Sequence, residues 1–259
     1  MKQPLLKNWK SIASVIMLCS AFAVNAEDFE RKFDVPAGGK LDLKTDSGSV
    51  KVLTHDSDTV LVMVEVNGRD ADDFELSTEL KGKTVEVVGE MEGRRWSRNL
   101  KVEFSVTVPE EFDVDIDTSG GSIRVSDLTG DLNARTSGGS IRVGSVKGEV
   151  ELNTSGGSIQ TEEIYGPLNA HTSGGSIKAT FAEQLTEDAT LDTSGGSITA
   201  YLIPEVKIDL DASTSGGRVK TDFNVDGRIK KQSIRGEING GGPELQLRTS
   251  GGSVKVRSL

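Results

Sequence analysis

Thr118-Ser119-Gly120-Gly121-Ser122-Ile123 is the stretch that decides the fold, because it returns almost unchanged at Thr136, Thr154, Thr172 and Thr193. Variants with the same Thr-Ser-Gly-Gly core start at Thr214 and Thr249. Successive copies are 18, 18, 18, 21, 21 and 35 residues apart. A fixed period near twenty means one supersecondary unit stacked on itself many times.

The residues around the motif read as strands. Two positions before each Thr stand Ile116, Ala134, Leu152, Ala170, Leu191, Ala212 and Leu247. Four before stand Val114, Leu132, Val150, Leu168, Ala189, Leu210 and Leu245, and the residues between are polar. This period of two suits a pleated strand with one buried face. The alternation resumes after the glycines with Ile123, Ile141, Ile159, Ile177, Ile198, Val219 and Val254. Each coil therefore holds two strands. One corner is Ser-Gly-Gly, where glycine is expected to supply positive φ. The other is a Gly-bearing loop in which Leu128, Val146 and Ile164 point inward. Like residues should stack about 4.8 Å apart in aliphatic ladders, in keeping with 5% aromatic content. The expected fold is all-β, a right-handed parallel β-solenoid (β-helix) with an irregular β cap at its N-terminal end.

The amino terminus reads as a signal peptide over 1–26. Lys2, Lys7 and Lys10 precede the apolar run Ile12 to Val24, and cleavage is expected after Ala26. The run is too short for a bilayer core of about 30 Å. Leu18 ahead of Cys19 does not suit a lipoprotein signal. Cleavage removes three of the 30 bases, none of the 40 acids and the only Cys, which leaves a net charge of −13. Disulfides and Cys-based metal sites are then excluded, nucleic acid is a poor partner, and the protein is expected in the periplasm, at the cell surface or secreted. No later segment is long and apolar enough to span a membrane.

Residues 27–112 are expected to form a β-rich cap, and 113–259 the regular coils. The cap contains a degenerate coil, Thr45-Asp46-Ser47-Gly48-Ser49-Val50, with Leu41 and Leu43 inward. Antiparallel hairpins are expected from there to about 108, one of them turning at Leu80-Lys81-Gly82-Lys83. The insertion Phe223 to Gly242 should close the opposite end, because open strand edges invite pairing with other chains.

A signal peptide, an irregular β segment ending in Val108-Pro109-Glu110-Glu111-Phe112, and Thr-Ser-Gly-Gly-Ser-Ile coils together resemble a bacterial family. It is the extracytoplasmic "putative adhesin" family of unknown function, related to the adhesin-head β-solenoid domains. The resemblance covers essentially all the mature chain and implies a fold and an envelope location. It brings no catalytic residues.

Function is read from the outward columns. Six positions after each Thr stand Arg124, Arg142, Gln160, Lys178, Thr199, Lys220 and Lys255, with Lys51 matching in the degenerate coil. The candidate binding face is Arg124, Arg142, Lys178, Lys220 and Lys255, flanked by Ser122, Ser140, Ser158, Ser176, Ser197 and Ser253 as hydroxyl donors. Cations beside hydroxyls suit sulfate, phosphate or carboxylate groups. Five positions before each Thr, Asp113, Asp131, Glu149, Asp188, Asp209 and Glu244 form an acidic column interrupted by Pro167. Cation binding there is weighed below a solvated strand start, and no metal or cofactor is expected.

Two rivals follow from the same columns. A polysaccharide-active β-helix enzyme would use Asp113, Asp115 and Asp117 with Arg135, but a solvated strand face explains them more simply, and His55 and His171 are far apart. An ice-binding or other regular surface would want outward Thr ladders, whereas here Thr shares the inward parity. The expectation is a non-catalytic exported binding or scaffold module, adhesin-like, whose partner is an anionic envelope polymer or a protein.

Overall fold

The computed structural model describes residues 29–92 and 100–259. The signal peptide expected over 1–26 lies outside them. Two long sheets face each other, one of 13 strands and one of 12. Call them sheet I and sheet II. Every Thr-Ser-Gly-Gly corner passes the chain from a strand of sheet II, such as Leu132–Thr136, to one of sheet I, such as Ile141–Val143. Coils stack in parallel and in register at the motif: Thr118, Thr136, Thr154 and Thr172 stand side by side, as do Ile123, Ile141, Ile159 and Ile177. The register shifts between Gln160 and Glu163, where Ile159–Ile164 bulges against Ile177–Phe181. The centre is thus a parallel β-solenoid, and antiparallel strands close its ends.

The inward positions expected from the alternation are buried, including the corner residues Leu128, Val146 and Ile164. These last form their own short parallel ladder at the second corner. The motif residues each have a mechanical task. Thr154 is buried, donates its hydroxyl to the Gly139 carbonyl of the preceding coil at 2.8 Å, and accepts the Gly157 amide at 3.3 Å. The same arrangement holds at Thr136, Thr172, Thr193, Thr249 and Thr214. The threonine column is therefore a hydrogen-bonded seam between coils. Thr154→Val, which keeps the shape and removes the hydroxyl, should leave the Gly139 carbonyl unpaired and cost about 1–3 kcal/mol. A chemical melt of this variant coinciding with wild type would contradict the seam.

The second glycine differs from expectation. Positive φ occurs at Gly121 (100°) and Gly48 (128°), but not at Gly139, Gly157, Gly175 or Gly196. At these four, close approach excludes a side chain: a Cβ on Gly139 would lie 1.9 Å from the Gly121 carbonyl oxygen, and one on Gly157 2.0 Å from that of Gly139.

At the N-terminal end the hairpins are present, but they include two strands whose place the sequence conceals. Strand Thr84–Met91 runs parallel to Gly39–Thr45, and Leu100–Pro109 runs parallel to Ser49–His55. These two strands lie outside the degenerate coil, one in each sheet, so chain order and stacking order are reversed there. Gly89 replaces the threonine beside Thr45, and Phe104 replaces the aliphatic beside Val50. The ring of Phe74 meets Phe104 edge-on at 6.4 Å over that glycine. Antiparallel strands Phe74–Lys81 and Thr59–Gly68, with Phe29–Asp34 outermost, finish this end.

At the other end the 223–242 insertion forms the hairpin Asp226–Lys230 and Ser233–Ile238, which closes sheet II on Ile208–Thr214. The last two coils are also out of order. Glu244–Thr249 and Val254–Ser258 lie between the coil at 189–202 and the coil at 208–221. Among the described residues, no helix is long and apolar enough to cross a membrane.

Candidate functional site

Parallel register brings the predicted basic residues into one line across sheet I. Lys51, Arg124, Arg142, Gln160, Lys178, Thr199, Lys255 and Lys220 are successive neighbours in that order. The last two exchange places relative to the sequence because the last two coils do. All are exposed except Thr199, which is half-buried. Like charges one rung apart repel unless acids or a ligand relieve them. Among the described residues, no acid is ion-paired with any of the six bases in this column. Lys178 alone has another partner, its ammonium lying 5.3 Å from the centre of the Tyr201 ring.

Sheet II behaves differently. Lys40 pairs with Asp115 at 3.2 Å, Arg135 with Glu151 at 2.8 Å, and Asp211 receives both Arg235 at 2.9 Å and Arg248 at 3.3 Å. Hydrogen bonding to Asp42 raises the Lys44 pKa above its ordinary value, and Glu151 does the same for Arg135. Along the coils of sheet II, Lys40, Lys44, Arg135 and Arg248 are thus ion-paired within the fold, whereas the bases of the sheet I column are not. Arg228 and Lys230, on the end hairpin of sheet II, also lack an ion pair among the described residues.

The N-terminal half of that column borders a shallow depression of about 320 Å³. Its walls include Lys51, Leu53, Arg124, Arg142 and Gln160, with the small residues Ser126 and Gly144. Two acids, Asp127 and Glu162, line it without ion-pairing to these bases, one Asp127 oxygen accepting the Ser145 amide instead. Sequence reasoning missed Leu53, Ser126, Gly144 and Tyr201. The available signal was the outward position two places after each residue of the column, which holds small residues at 126 and 144 and, after Thr199, an aromatic at 201.

The serine column is a second seam more than a row of free donors. Ser122 Oγ accepts the Ser140 amide at 3.3 Å, and Ser140 Oγ accepts that of Ser158 at 3.2 Å. The series continues through Ser176 and Ser197 to Ser253. Each oxygen from Ser122 to Ser197 already accepts one amide, and toward an anionic ligand the hydroxyl proton is the group it can offer.

The acidic column has a similar structural use. Asp113 Oδ1 accepts the Asp131 amide at 3.0 Å, Asp131 Oδ1 accepts that of Glu149 at 2.9 Å, and Asp188 Oδ1 accepts that of Glu244 at 2.7 Å. Pro167 interrupts the column where the next coil has no amide hydrogen to offer. These carboxylates hold strand starts together. Among the described residues, no group of three or more His, Cys, Asp or Glu side chains is placed to hold a metal ion.

The enzyme candidates do not come together as a set. Asp115 is tied to Lys40, and the Arg135 guanidinium turns to Glu151, although register places it beside Asp117. His55 belongs to sheet I and bonds the Thr59 carbonyl at 2.7 Å, whereas His171 belongs to sheet II with Asp192 at 3.5 Å. A smaller depression of about 190 Å³ on sheet II is lined by Lys44, Asp46, Glu90 and Asp117. One Asp46 oxygen there accepts the Met91 amide at 3.2 Å.

Among solved structures, a "putative cell adhesion protein" of Clostridium sporogenes shares 14% identity at a TM-score of 0.37, over 90% of this chain and 100% of its own. A "putative adhesin" of Bacteroides fragilis shares 13% identity over 91% of this chain and 98% of its own, TM-score 0.37. A "putative lipid binding protein" of Parabacteroides distasonis shares 13% identity over 91% and 98%, TM-score 0.39. No curated protein sequence matches the chain. The family model for Toastrack DUF4097 matches residues 40–257, from the degenerate coil to the last strand, and the chain belongs to that family.

Proposed function

We propose that this protein is a non-catalytic binding or scaffold module of the bacterial cell envelope, exported and adhesin-like. In this reading its leader, 1–26, is removed, the cap of 27–112 precedes the coils of 113–259, and the mature protein works in the periplasm or at the cell surface. The coils wind right-handed, in line with the general preference of parallel crossover connections. The partner is an anionic envelope component, such as lipopolysaccharide or an acidic glycan, held on the face of Arg124, Arg142, Lys178, Lys255 and Lys220, with Lys51 beside them.

The observation that carries this reading is the line of bases on sheet I with no ion-paired acid among the described residues, set against the ion pairs of Lys40, Arg135 and Arg248 on sheet II. Charges repeating at one rung, about 4.8 Å, favour a ligand that itself repeats. The negative balance of the rest of the molecule limits non-specific adhesion.

Binding to vesicles containing lipopolysaccharide tests it, with wild type and an Arg124→Ala, Arg142→Ala, Lys178→Ala triple variant at low and high salt. At about 1 kcal/mol per base near an anionic surface, the triple variant should lose roughly two orders of magnitude in affinity at low salt. High salt should weaken wild type toward the variant. Equal binding by both proteins at low salt would leave the basic face without this role.

A further inference from the structure

The last coil fills a slot made by segments that precede it in the chain. Strand Glu244–Thr249 lies between Ala189–Thr193 and Ile208–Thr214, and Val254–Ser258 lies between Ile198–Leu202 and Val219–Thr221. The connection 203–207 therefore steps across two rungs instead of one. With 244–258 withdrawn, both sheets present unpaired edges on each side of the gap, and the buried partners of Leu245, Leu247, Val254 and Val256 face water.

The slot is selective. Thr249 donates to the Gly196 carbonyl at 2.6 Å, and Thr214 donates to the Gly252 carbonyl at 2.6 Å. Ser253 is bonded through both its groups: its amide meets Ser197 Oγ at 3.1 Å, and its own Oγ receives the Arg218 amide at 3.2 Å. A Cβ on Gly252 would lie 2.2 Å from the Gly196 carbonyl oxygen, and one on Gly217 2.2 Å from that of Gly252. An occupant must therefore carry Leu-x-Leu-x-Thr-Ser-Gly-Gly-Ser-Val or a close variant, and this chain's own last coil does so.

The connection into the slot is built to change shape. Asn239, Gly240 and Gly241 have φ of 51°, 92° and 77°, and Gly242 and Pro243 follow. Left-handed values at an asparagine and two glycines make a tight reversal that can also open at little steric cost. The reversal is pinned by the Asn239 amide, which donates to the carbonyls of Pro204 at 3.2 Å and Val206 at 2.8 Å.

We infer that residues 244–258 form an exchangeable coil, and that the partner which takes it is a second copy of this chain, with Asn239–Pro243 as the hinge. In the exchanged dimer each slot holds the other copy's coil and keeps every hydrogen bond between slot and coil, and only the bonds of the hinge are given up. This does not depend on what the basic face binds.

Register supplies the test. Thr190 and Gln246 are outward, half-buried neighbours on adjacent rungs, at a spacing that a disulfide spans. Full-length chains carrying Cys19→Ser and either Thr190→Cys or Gln246→Cys are mixed, warmed to the midpoint of their melt, cooled and oxidised. The expected result is a covalent heterodimer in the mixture and not in either chain alone. Asn239→Ala, added to both chains, should bring the heterodimer on at lower temperature. A chain carrying both cysteines, oxidised before mixing, should crosslink within itself and stay monomeric. The proposal is overturned if the mixture stays monomeric while the double variant crosslinks internally, or if either single variant dimerises as readily by itself. Failure of the double variant to crosslink overturns the threading on which the proposal rests.

Discussion

Ile159→Asp is expected to abolish the cooperative melt of the protein at physiological temperature. Ile159 is 1% exposed and stands between Ile141 and Ile177 in the sheet I ladder. A carboxylate there has apolar neighbours on both rungs and no base within the core to pair with, so it must stay ionised without solvation or take up a proton. Either outcome costs several kcal/mol, in the range above about 4 kcal/mol that marks the most damaging substitutions. Domains of this kind have only about 5–15 kcal/mol in reserve. In a stacked array the damage also uncouples the coils on its two sides, since each coil contacts only its neighbours. Arg142→Ala is the matched control. Its side chain lies one residue along from the Ile141 rung but points outward, and the change should stay within about 0.5 kcal/mol. Thermal unfolding followed by circular dichroism distinguishes the two, and an Ile159→Asp protein melting like wild type would rule out the stacking register.

Gly157→Ala carries the second large effect and separates two glycines that look equivalent in the sequence. The added methyl would lie 2.0 Å from the Gly139 carbonyl oxygen, a backbone group already held by Thr154. Neither coil can yield without breaking that seam, so a loss of about 3 kcal/mol or more is expected. At the preceding residue, Gly156, the nearest atom is 3.2 Å away, which a small backbone adjustment relieves. Gly120, in the first full copy of the motif, has nothing within 4 Å and should accept alanine with little change. Urea melts of the three single variants should rank them in that order. Equal losses would mean that the motif keeps its glycines for backbone conformation and not for close approach.

Much of this architecture is legible in the sequence because the solenoid turns side-chain parity directly into burial. The aliphatics two and four places before each threonine, the isoleucines after each glycine pair and the threonines themselves fall on the inward face that alternation assigns them. The two outer N-terminal strands were hidden because they lack the motif. Gly89 has no hydroxyl to form the seam, and Phe104 fills the space that a methyl-bearing ladder fills elsewhere.

The exchanged order of the last two coils was hidden for the opposite reason, since both carry the motif and either could occupy either rung. A local clue exists in the serine seam. Each serine oxygen receives an amide from the next rung, so the terminal rung alone needs no serine. Arg218 occupies that place in the coil of Thr214, and Ser253 occupies it in the coil of Thr249. The acidic column was visible as a pattern but not as a device, because alternation does not tell a free carboxylate from one that caps the amide of the next coil. The site was legible as a line of charges. Its unpaired state was not, since pairing depends on which side chains face it across rungs.

The comparison that bears most directly on the central claim sets one face against the other at constant net charge. Arg124→Ala, Arg142→Ala, Lys178→Ala removes three bases from sheet I, and Lys44→Ala, Arg135→Ala, Arg248→Ala removes three from sheet II. Affinity for lipopolysaccharide-containing vesicles at low salt is measured for both triple variants and wild type. Loss confined to the sheet I variant, with the sheet II variant close to wild type, is the predicted result. Equal loss in both would show that binding follows overall charge and not the line of unpaired bases, and would contradict the account.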